Sequence, residues 1–236
     1  MSQGWDQSAE AWIRHIGPDG DYGRRHVLDA PMLALVRAGS FRRALDVGCG
    51  EGRFCRLLAR EGIATTGTDP TATLIERARE LHPEGDYRVE AAETMAMPAG
   101  QFDLVVSYLS LIDIPGLDAA VANMAAALAP GGTLLIANCT SFNTAAMPEG
   151  WRRPLIGEAY FPIDHYLEER EIPAIWNGIS ITNHHRPLKR YMQALLGAGL
   201  TLTHFDEPEP VGGPPDKNAR YRRAPYFHIM RWQKPA

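Results

Sequence analysis

Ala44-Leu45-Asp46-Val47-Gly48-Cys49-Gly50-Glu51-Gly52-Arg53 is the stretch on which the reading of this chain turns. Arg43 to Val47 is a short apolar run with one acid, the pattern of a buried strand. Phe54, Leu57 and Leu58 then recur at helical spacing until Gly62. A glycine turn therefore joins a strand to a helix. At Gly48, Gly50 and Gly52 no side chain stands between backbone and ligand. The new helix aims unpaired N–H groups and the positive end of its dipole at the same place.

The spacing separates two classes of ligand. A dinucleotide fingerprint needs G-x-G-x-x-G, but here the third glycine comes one position early, at Gly52, and Arg53 stands where that pattern has glycine. Asp46 would repel a pyrophosphate, yet it can accept a hydrogen bond, directly or through water, from the α-ammonium of a bound amino acid. A zwitterionic, sulfonium-bearing nucleoside such as S-adenosylmethionine fits better. Asp69 ends the apolar run from Ile63 to Thr68, about twenty residues past the turn, where an open α/β sheet places a ribose-binding carboxylate. Its plainer alternative is an N-cap before Pro70 and the helix from Ala72.

Further strand-like runs at Ala64 to Thr68, Tyr87 to Glu90, Leu104 to Ser107 and Thr133 to Asn138 alternate with helical patterns, which specifies a parallel sheet with right-handed crossovers. Leu74, Ile75, Ala78 and Leu81 mark one amphipathic helix, ending at Pro83. Val121, Met124, Ala125 and Leu128 mark another, ending before Pro130-Gly131. Pro187 opens a last helix, which Gly197 to Gly199 closes. Leu200 to Phe205 and Tyr226 to Trp232 follow as an antiparallel pair joined by a loop rich in proline and glycine.

Taken together, these landmarks resemble the class I S-adenosylmethionine-dependent methyltransferases of the small UbiE-like group, over roughly residues 40 to 140. Beside the glycine turn and Asp69, Ala92-Glu93-Thr94-Met95-Ala96-Met97-Pro98 with Gln101-Phe102-Asp103-Leu104-Val105-Val106-Ser107 is similar to the family's third-strand loop and fourth strand. Leu128-Ala129-Pro130-Gly131-Gly132-Thr133-Leu134-Leu135-Ile136 is similar to its turn into the fifth strand. The resemblance implies a Rossmann-like, mostly parallel seven-stranded α/β sheet with helices on both faces, an antiparallel C-terminal hairpin and an N-terminal helical lid. It implies S-adenosyl-L-methionine as cofactor and S-adenosyl-L-homocysteine as product, with no metal, and it places Arg24, Asp46, Gly48, Gly50, Asp69, Ala92, Glu93 and Ser107 at the cofactor. Many relatives carry an aspartate just before the Ala-Glu pair for the adenine amino group; here that position is Ala91.

A chain of 236 residues with 45% hydrophobic composition buries one substantial core, so a single domain is expected. Within it, residues 1–38 read as the lid, 40–140 as the cofactor-binding core, 141–186 as a substrate cap and 187–236 as the last helix and hairpin. The net charge of −4 and the lack of a long basic run give no broad electrostatic grip on nucleic acid. No run approaches the roughly eighteen apolar residues of a membrane span, and Met1 to Asp6 has no basic-then-apolar order, so a cytoplasmic protein is expected, as monomer or homodimer. Three cysteines, Cys49, Cys55 and Cys139, without C-x-x-C spacing argue against a zinc site or a disulfide framework.

Trp5, Ala9, Trp12, Ile13 and Ile16 lie at helical spacing, and relatives place such a helix over the cofactor cleft. Arg24 suits the cofactor carboxylate through a guanidinium fork, or else an ion pair with Asp19 or Asp21. The cap supplies Trp151, Tyr160, His165 and Trp176, which with Tyr108 after the fourth strand are the candidate walls of an acceptor pocket. Methyl transfer is an in-line displacement that chiefly needs alignment and exclusion of water, and a base is optional. His185, with His184 beside it, is the candidate base, because Asn183-His184-His185-Arg186-Pro187 contains the family's His-Arg-Pro run; the alternative is that His185 and Arg186 brace the helix start. Asp113 is placed either to orient an amine or to cap the next turn. The function expected is methyl transfer to a small-molecule acceptor, O- or N-methylation ahead of C-methylation. A protein or RNA methyltransferase and a cofactor-binding protein without activity are the alternatives.

Overall fold

In the computed structural model, which describes residues 4–236, strands β1 (Arg43–Val47), β2 (Ala64–Asp69), β3 (Asp86–Val89), β4 (Phe102–Tyr108) and β5 (Leu128–Cys139) run parallel. A hairpin of β6 (Arg170–Trp176) and β7 (Ile179–His185) stands apart as its own two-stranded sheet. At the far edge β8 (Thr201–Asp206) and β9 (Phe227–Gln233) complete a seven-stranded sheet in the order β3-β2-β1-β4-β5-β9-β8, with β9 antiparallel to both of its neighbours.

Strand alternation builds the layers. Leu45, Val47, Val105, Leu134 and Ile136 face one side, where Val121 and Met124 of α5 (Leu117–Ala127) and Tyr191 and Leu195 of α7 (Leu188–Gly197) cover them. Ala44, Leu104, Val106, Leu135 and Ala137 face the other, against Met32 and Val36 of α2 (Asp29–Arg37) and Phe54 and Leu58 of α3 (Arg53–Arg60). Successive side chains pointing to opposite faces explain why these central strands read as unbroken apolar runs.

Strand order reverses between β1 and β4, and in such sheets the crevice beyond the carboxyl ends of those two strands is where ligands bind. The roof over it comes from α1 (Trp5–Ile16). Ala9, Trp12 and Ile16 pack with Leu74 of α4 (Ala72–Leu81) on one side and with Ile179 and Ile181 of the hairpin on the other. Ser8 Oγ donates to the Ser180 carbonyl at 3.1 Å and accepts from the Ser180 amide at 3.0 Å, which stitches lid to hairpin.

Three features add to the expected architecture. Residues 24–28 form a π-helical turn leading into α2. The cap begins with a short helix, α6 (Ser141–Ala145), and ends in the β6–β7 hairpin. The loop between the last two strands contains α8 (Pro215–Arg223), which has no buried residue and is tied down through the Tyr22 hydroxyl to Asn218 and through Asn218 to the Gly212 carbonyl.

Candidate active site

A cavity of about 470 Å³ opens at the reversal point. Its floor is the glycine turn. Gly48, Gly50 and Gly52 have φ of 75°, 56° and 74°, the left-handed region that glycine enters without penalty. A Cβ on Gly48 would lie 2.3 Å from Ser110 Cβ, whereas one on Gly50 meets only Trp12 Nε1, at 3.9 Å, and so projects into the cavity. The two glycines thus have different duties, one inside the packing and one facing the ligand space.

Asp69 fixes the turn. Its carboxylate accepts from the amides of Gly50 at 3.0 Å and Thr71 at 2.9 Å, and each oxygen keeps a further lone pair for a ribose hydroxyl. Burial raises its pKa, against the pull of those two amides. Asp46 is buried below, and burial pushes it up to about 7. Its Oδ2 accepts from the Cys55 thiol at 3.5 Å, while its buried Oδ1 has no hydrogen-bond partner in the protein. An orphaned carboxylate oxygen under an open glycine cradle is what the α-ammonium of S-adenosylmethionine would satisfy, so these residues fit that cofactor.

Arg24 supplies the opposite charge. Burial works against its ionisation, but Asp21, 2.6 Å from Nη1, together with Tyr108 and Glu51 offsets this and raises its pKa. The guanidinium stands 5.0 Å from the Trp12 ring centre and 5.6 Å from that of Tyr108. Ala91, Ala92 and Glu93 line the opposite side; the Ala92 carbonyl accepts from Asn123, and Glu93 Oε1 accepts from the Gly116 amide. Ser107 lies beneath the lining, its hydroxyl 2.7 Å from that of Ser110, which donates to the Val47 carbonyl. Its contribution is to pin β4 to β1.

Above the floor the cavity turns apolar. Trp5, Trp12, Trp176, Ile181 and Phe227 wall it, and Asp113 and Asn183 put polar atoms among them. A second chamber of about 420 Å³ lies under the hairpin and shares Ile112, Cys139, Trp176 and Asn183 with the first. Tyr108 and Trp176, both candidates from sequence, line the main cavity. Trp151, Tyr160 and His165 line neither chamber. Trp151 donates to the Tyr226 hydroxyl at 2.7 Å, Tyr160 is exposed, and His165 pairs on the surface with Glu168 at 3.0 Å.

Both histidines also stand outside the lining, and the reason is local. His185 is fully buried with both ring nitrogens committed: Nε2 lies 2.9 Å from the Tyr166 carbonyl, so it carries the proton, and Nδ1 accepts from the Thr144 hydroxyl at 2.7 Å. Burial also lowers its pKa, as it does for His184, whose backbone amide donates to the Ile112 carbonyl at 2.7 Å. The ring of His185 clips α6 to the cap. His185→Ala is therefore expected to cost about 2 kcal/mol of stability by emptying a buried site and removing both ring hydrogen bonds, Thr144 Oγ1 keeping only the Ser141 carbonyl at 3.3 Å, with S-adenosylhomocysteine affinity unchanged. Urea denaturation alongside calorimetric titration checks this; unchanged stability with abolished turnover would restore the base reading.

Asp113 and Asn183 are the polar groups that sequence reasoning weighted too little. The signal for Asn183 was alternation along β7, which puts Ile179, Ile181 and Asn183 on one side of the strand.

Residues 45–136 match a family described as a methyltransferase domain. The chain is 36% identical over 139 residues, 51% of its length, to a ubiquinone biosynthesis O-methyltransferase of Chelativorans sp. (strain BNC1), 55% of which is covered. It is 26% identical over 187 residues, 73% of its length, to a malonyl-[acyl-carrier protein] O-methyltransferase of Pectobacterium atrosepticum, with 70% of that protein covered. The chain spans about half the length of several of the curated relatives it matches. Among solved structures, an S-adenosylmethionine-dependent methyltransferase from Mesorhizobium loti superposes with a TM-score of 0.79 at 26% identity, covering 92% of this chain and all of that one. The sheet order and the glycine cradle agree with these likenesses: residues 45–136 match a methyltransferase domain, and the fold is the Rossmann-like one of S-adenosylmethionine-dependent methyltransferases. No helix among the described residues is long and apolar enough to cross a membrane.

Proposed function

We propose that this protein transfers the methyl group of S-adenosylmethionine to an oxygen of a small-molecule acceptor held beneath α1 and the hairpin. The observation that carries this is the continuity of one cavity from the glycine cradle to the tryptophan roof, which gives a cofactor and an acceptor a shared, water-poor space. Oxygen is favoured over nitrogen and carbon by the relatives from Chelativorans and Pectobacterium, both named as O-methyltransferases.

In this reading Arg24 forks the cofactor carboxylate, Asp46 accepts from its ammonium and Asp69 takes the ribose hydroxyls. Ala92 and Glu93 border the adenine. When bound, the cofactor supplies a sulfonium-activated methyl group. Trp5, Trp12 and Trp176 hold the flat or apolar body of the acceptor in line with it and exclude water. The partial roof of α1 and the hairpin favours a small acceptor over a macromolecule lying along an open groove.

Incubation with methyl-labelled S-adenosylmethionine and a metabolite extract of the source organism tests the reading. Label is expected in extractable small metabolites. Label confined to protein or RNA, or none in any fraction, overturns it.

A further inference from the structure

The roof of the cavity contains one carboxylate that cofactor binding leaves unused. Asp21 pairs with Arg24, Glu51 meets Arg56 at 3.3 Å, and Glu93 accepts from Gly116; Asp46 and Asp69 belong to the floor. Asp113 stands apart from all of these. It sits in the loop after β4, partly open to the cavity, with Cys139 and Asn183 among its neighbours in the lining. The Asn183 amide donates to Oδ1, and the Trp5 side chain of the lid stands near enough to the carboxylate to favour its ionised form. Each contact comes from a different element, α1 and β7, so lid and hairpin converge on this one group. No histidine lines the cavity among the described residues.

Resting on the methyl-transfer reading, we propose that Asp113 accepts the proton of the acceptor's hydroxyl group, with Asn183 and Trp5 holding its carboxylate toward that hydroxyl. As the acceptor oxygen forms its bond to the methyl carbon, the carbon–sulfur bond breaks and its electron pair stays on sulfur. The hydroxyl proton passes to Asp113 and leaves to water after product release, so charge and atoms balance. The acceptor class that follows is a hydroxyl, phenolic or aliphatic, on a body apolar enough for the tryptophan walls. Its far end has room in the chamber under the hairpin.

The surroundings suit a proton acceptor that works near neutrality. Burial pushes Asp113 up to about 7; the Asn183 hydrogen bond, the nearby Trp5 side chain and the Arg24 charge favour its ionised form, and Asp69 opposes it. Cys139, facing it from the end of β5, is pushed up to about 12 by burial and stays protonated. Turnover is therefore expected to rise with pH through about 7 as Asp113 ionises, then to level off. Asp46 also titrates at about 7, but it is kept in every variant, so a limb that vanishes with Asp113 belongs to Asp113.

The test compares wild type, Asp113→Asn and Asn183→Ala, using methyl-labelled S-adenosylmethionine and the metabolite extract as acceptor source. Asp113→Asn is expected to lose about 100-fold in label transfer and the acidic limb of the profile, while S-adenosylhomocysteine affinity stays within about twofold. In the cofactor-free protein, its infrared difference against wild type should show one carboxyl band titrating near 7. Asn183→Ala removes a donor that favours the ionised form, so its limb should move up by about one pH unit. Transfer by Asp113→Asn within about threefold of wild type, or an unchanged limb, overturns the assignment. Should that variant not fold, an unshifted limb in Asn183→Ala overturns it instead. A wild type that labels no small metabolite overturns the methyl-transfer reading first, and the Asp113 assignment with it.

Discussion

Gly50→Arg is expected to give a folded protein whose affinity for S-adenosylmethionine and S-adenosylhomocysteine has fallen at least about 100-fold, or ~2.7 kcal/mol. The substitution puts a long side chain where a Cβ finds nothing nearer than Trp12 Nε1 at 3.9 Å, so the guanidinium must occupy the space between glycine turn and lid. Some stability also goes, because Gly50 has φ of 56° and a side chain in the left-handed region costs about 1 to 2 kcal/mol. Gly62→Arg separates the two effects. Gly62 closes α3 at φ 79° with nothing within 4 Å of its would-be Cβ, so it bears the same backbone strain far from the cavity. Calorimetric titration and urea denaturation on both variants should show similar losses of stability and loss of binding in Gly50→Arg alone. Binding retained by a folded Gly50→Arg would remove the cofactor from the glycine turn.

What the sequence revealed follows from how local each signal is. The β1 turn and Asp69 could be read because strand, glycine and acid lie within one βαβ unit, and β1, covered on both faces, is apolar at Ala44, Leu45 and Val47. The β6–β7 hairpin is equally local in its signals. Ile172 and Ala174 alternate on one strand, Ile179 and Ile181 on the other, and Asn177-Gly178 between them adopts φ of 46° and 82°, a two-residue turn that this dipeptide favours. Helix α8 left no such trace: it buries nothing, and its anchors lie across the molecule, Tyr22 for Asn218 and Lys217.

The acceptor side is the harder case, because there composition named residue types but tertiary structure distributed them. Trp176 turns inward from the end of β6, whereas Trp151 is drawn to Tyr226 and to the Arg223 guanidinium, 4.8 Å from its ring. A histidine next to an arginine looks like chemistry in a sequence. Here Thr144 and Tyr166, 41 and 19 residues away, occupy both ring nitrogens of His185, and only the folded chain reveals them. Asp113 becomes conspicuous for the opposite reason, since Asn183, 70 residues on, aims it at the cavity.

Arg186→Met should be among the most destabilising single changes outside the apolar core, at about 3 kcal/mol or more, and should slow methyl transfer without weakening S-adenosylhomocysteine binding. Arg186 is 4% exposed, and its guanidinium donates to three carbonyls of one loop, Leu111 at 3.1 Å, Ile114 at 2.7 Å and Pro115 at 2.9 Å. Asp113 lies between those carbonyls in sequence, so a single cation shapes the segment that carries the proposed proton acceptor. Methionine fills similar volume but leaves the Leu111 and Ile114 carbonyls without donors, Pro115 keeping the Leu117 amide at 3.2 Å, which is where the energetic loss arises. Arg186→Lys keeps the charge but lacks the planar fork and can satisfy fewer of the three at once, so it should restore stability only in part. The cofactor floor is built from β1, β2 and α3, and Arg186 touches none of them in its hydrogen bonds, so binding there should survive while turnover falls. Urea denaturation, calorimetry with S-adenosylhomocysteine and label transfer on the two variants read these three quantities separately. Equal losses of affinity and turnover would mean that the loop supports the whole site rather than its acceptor side.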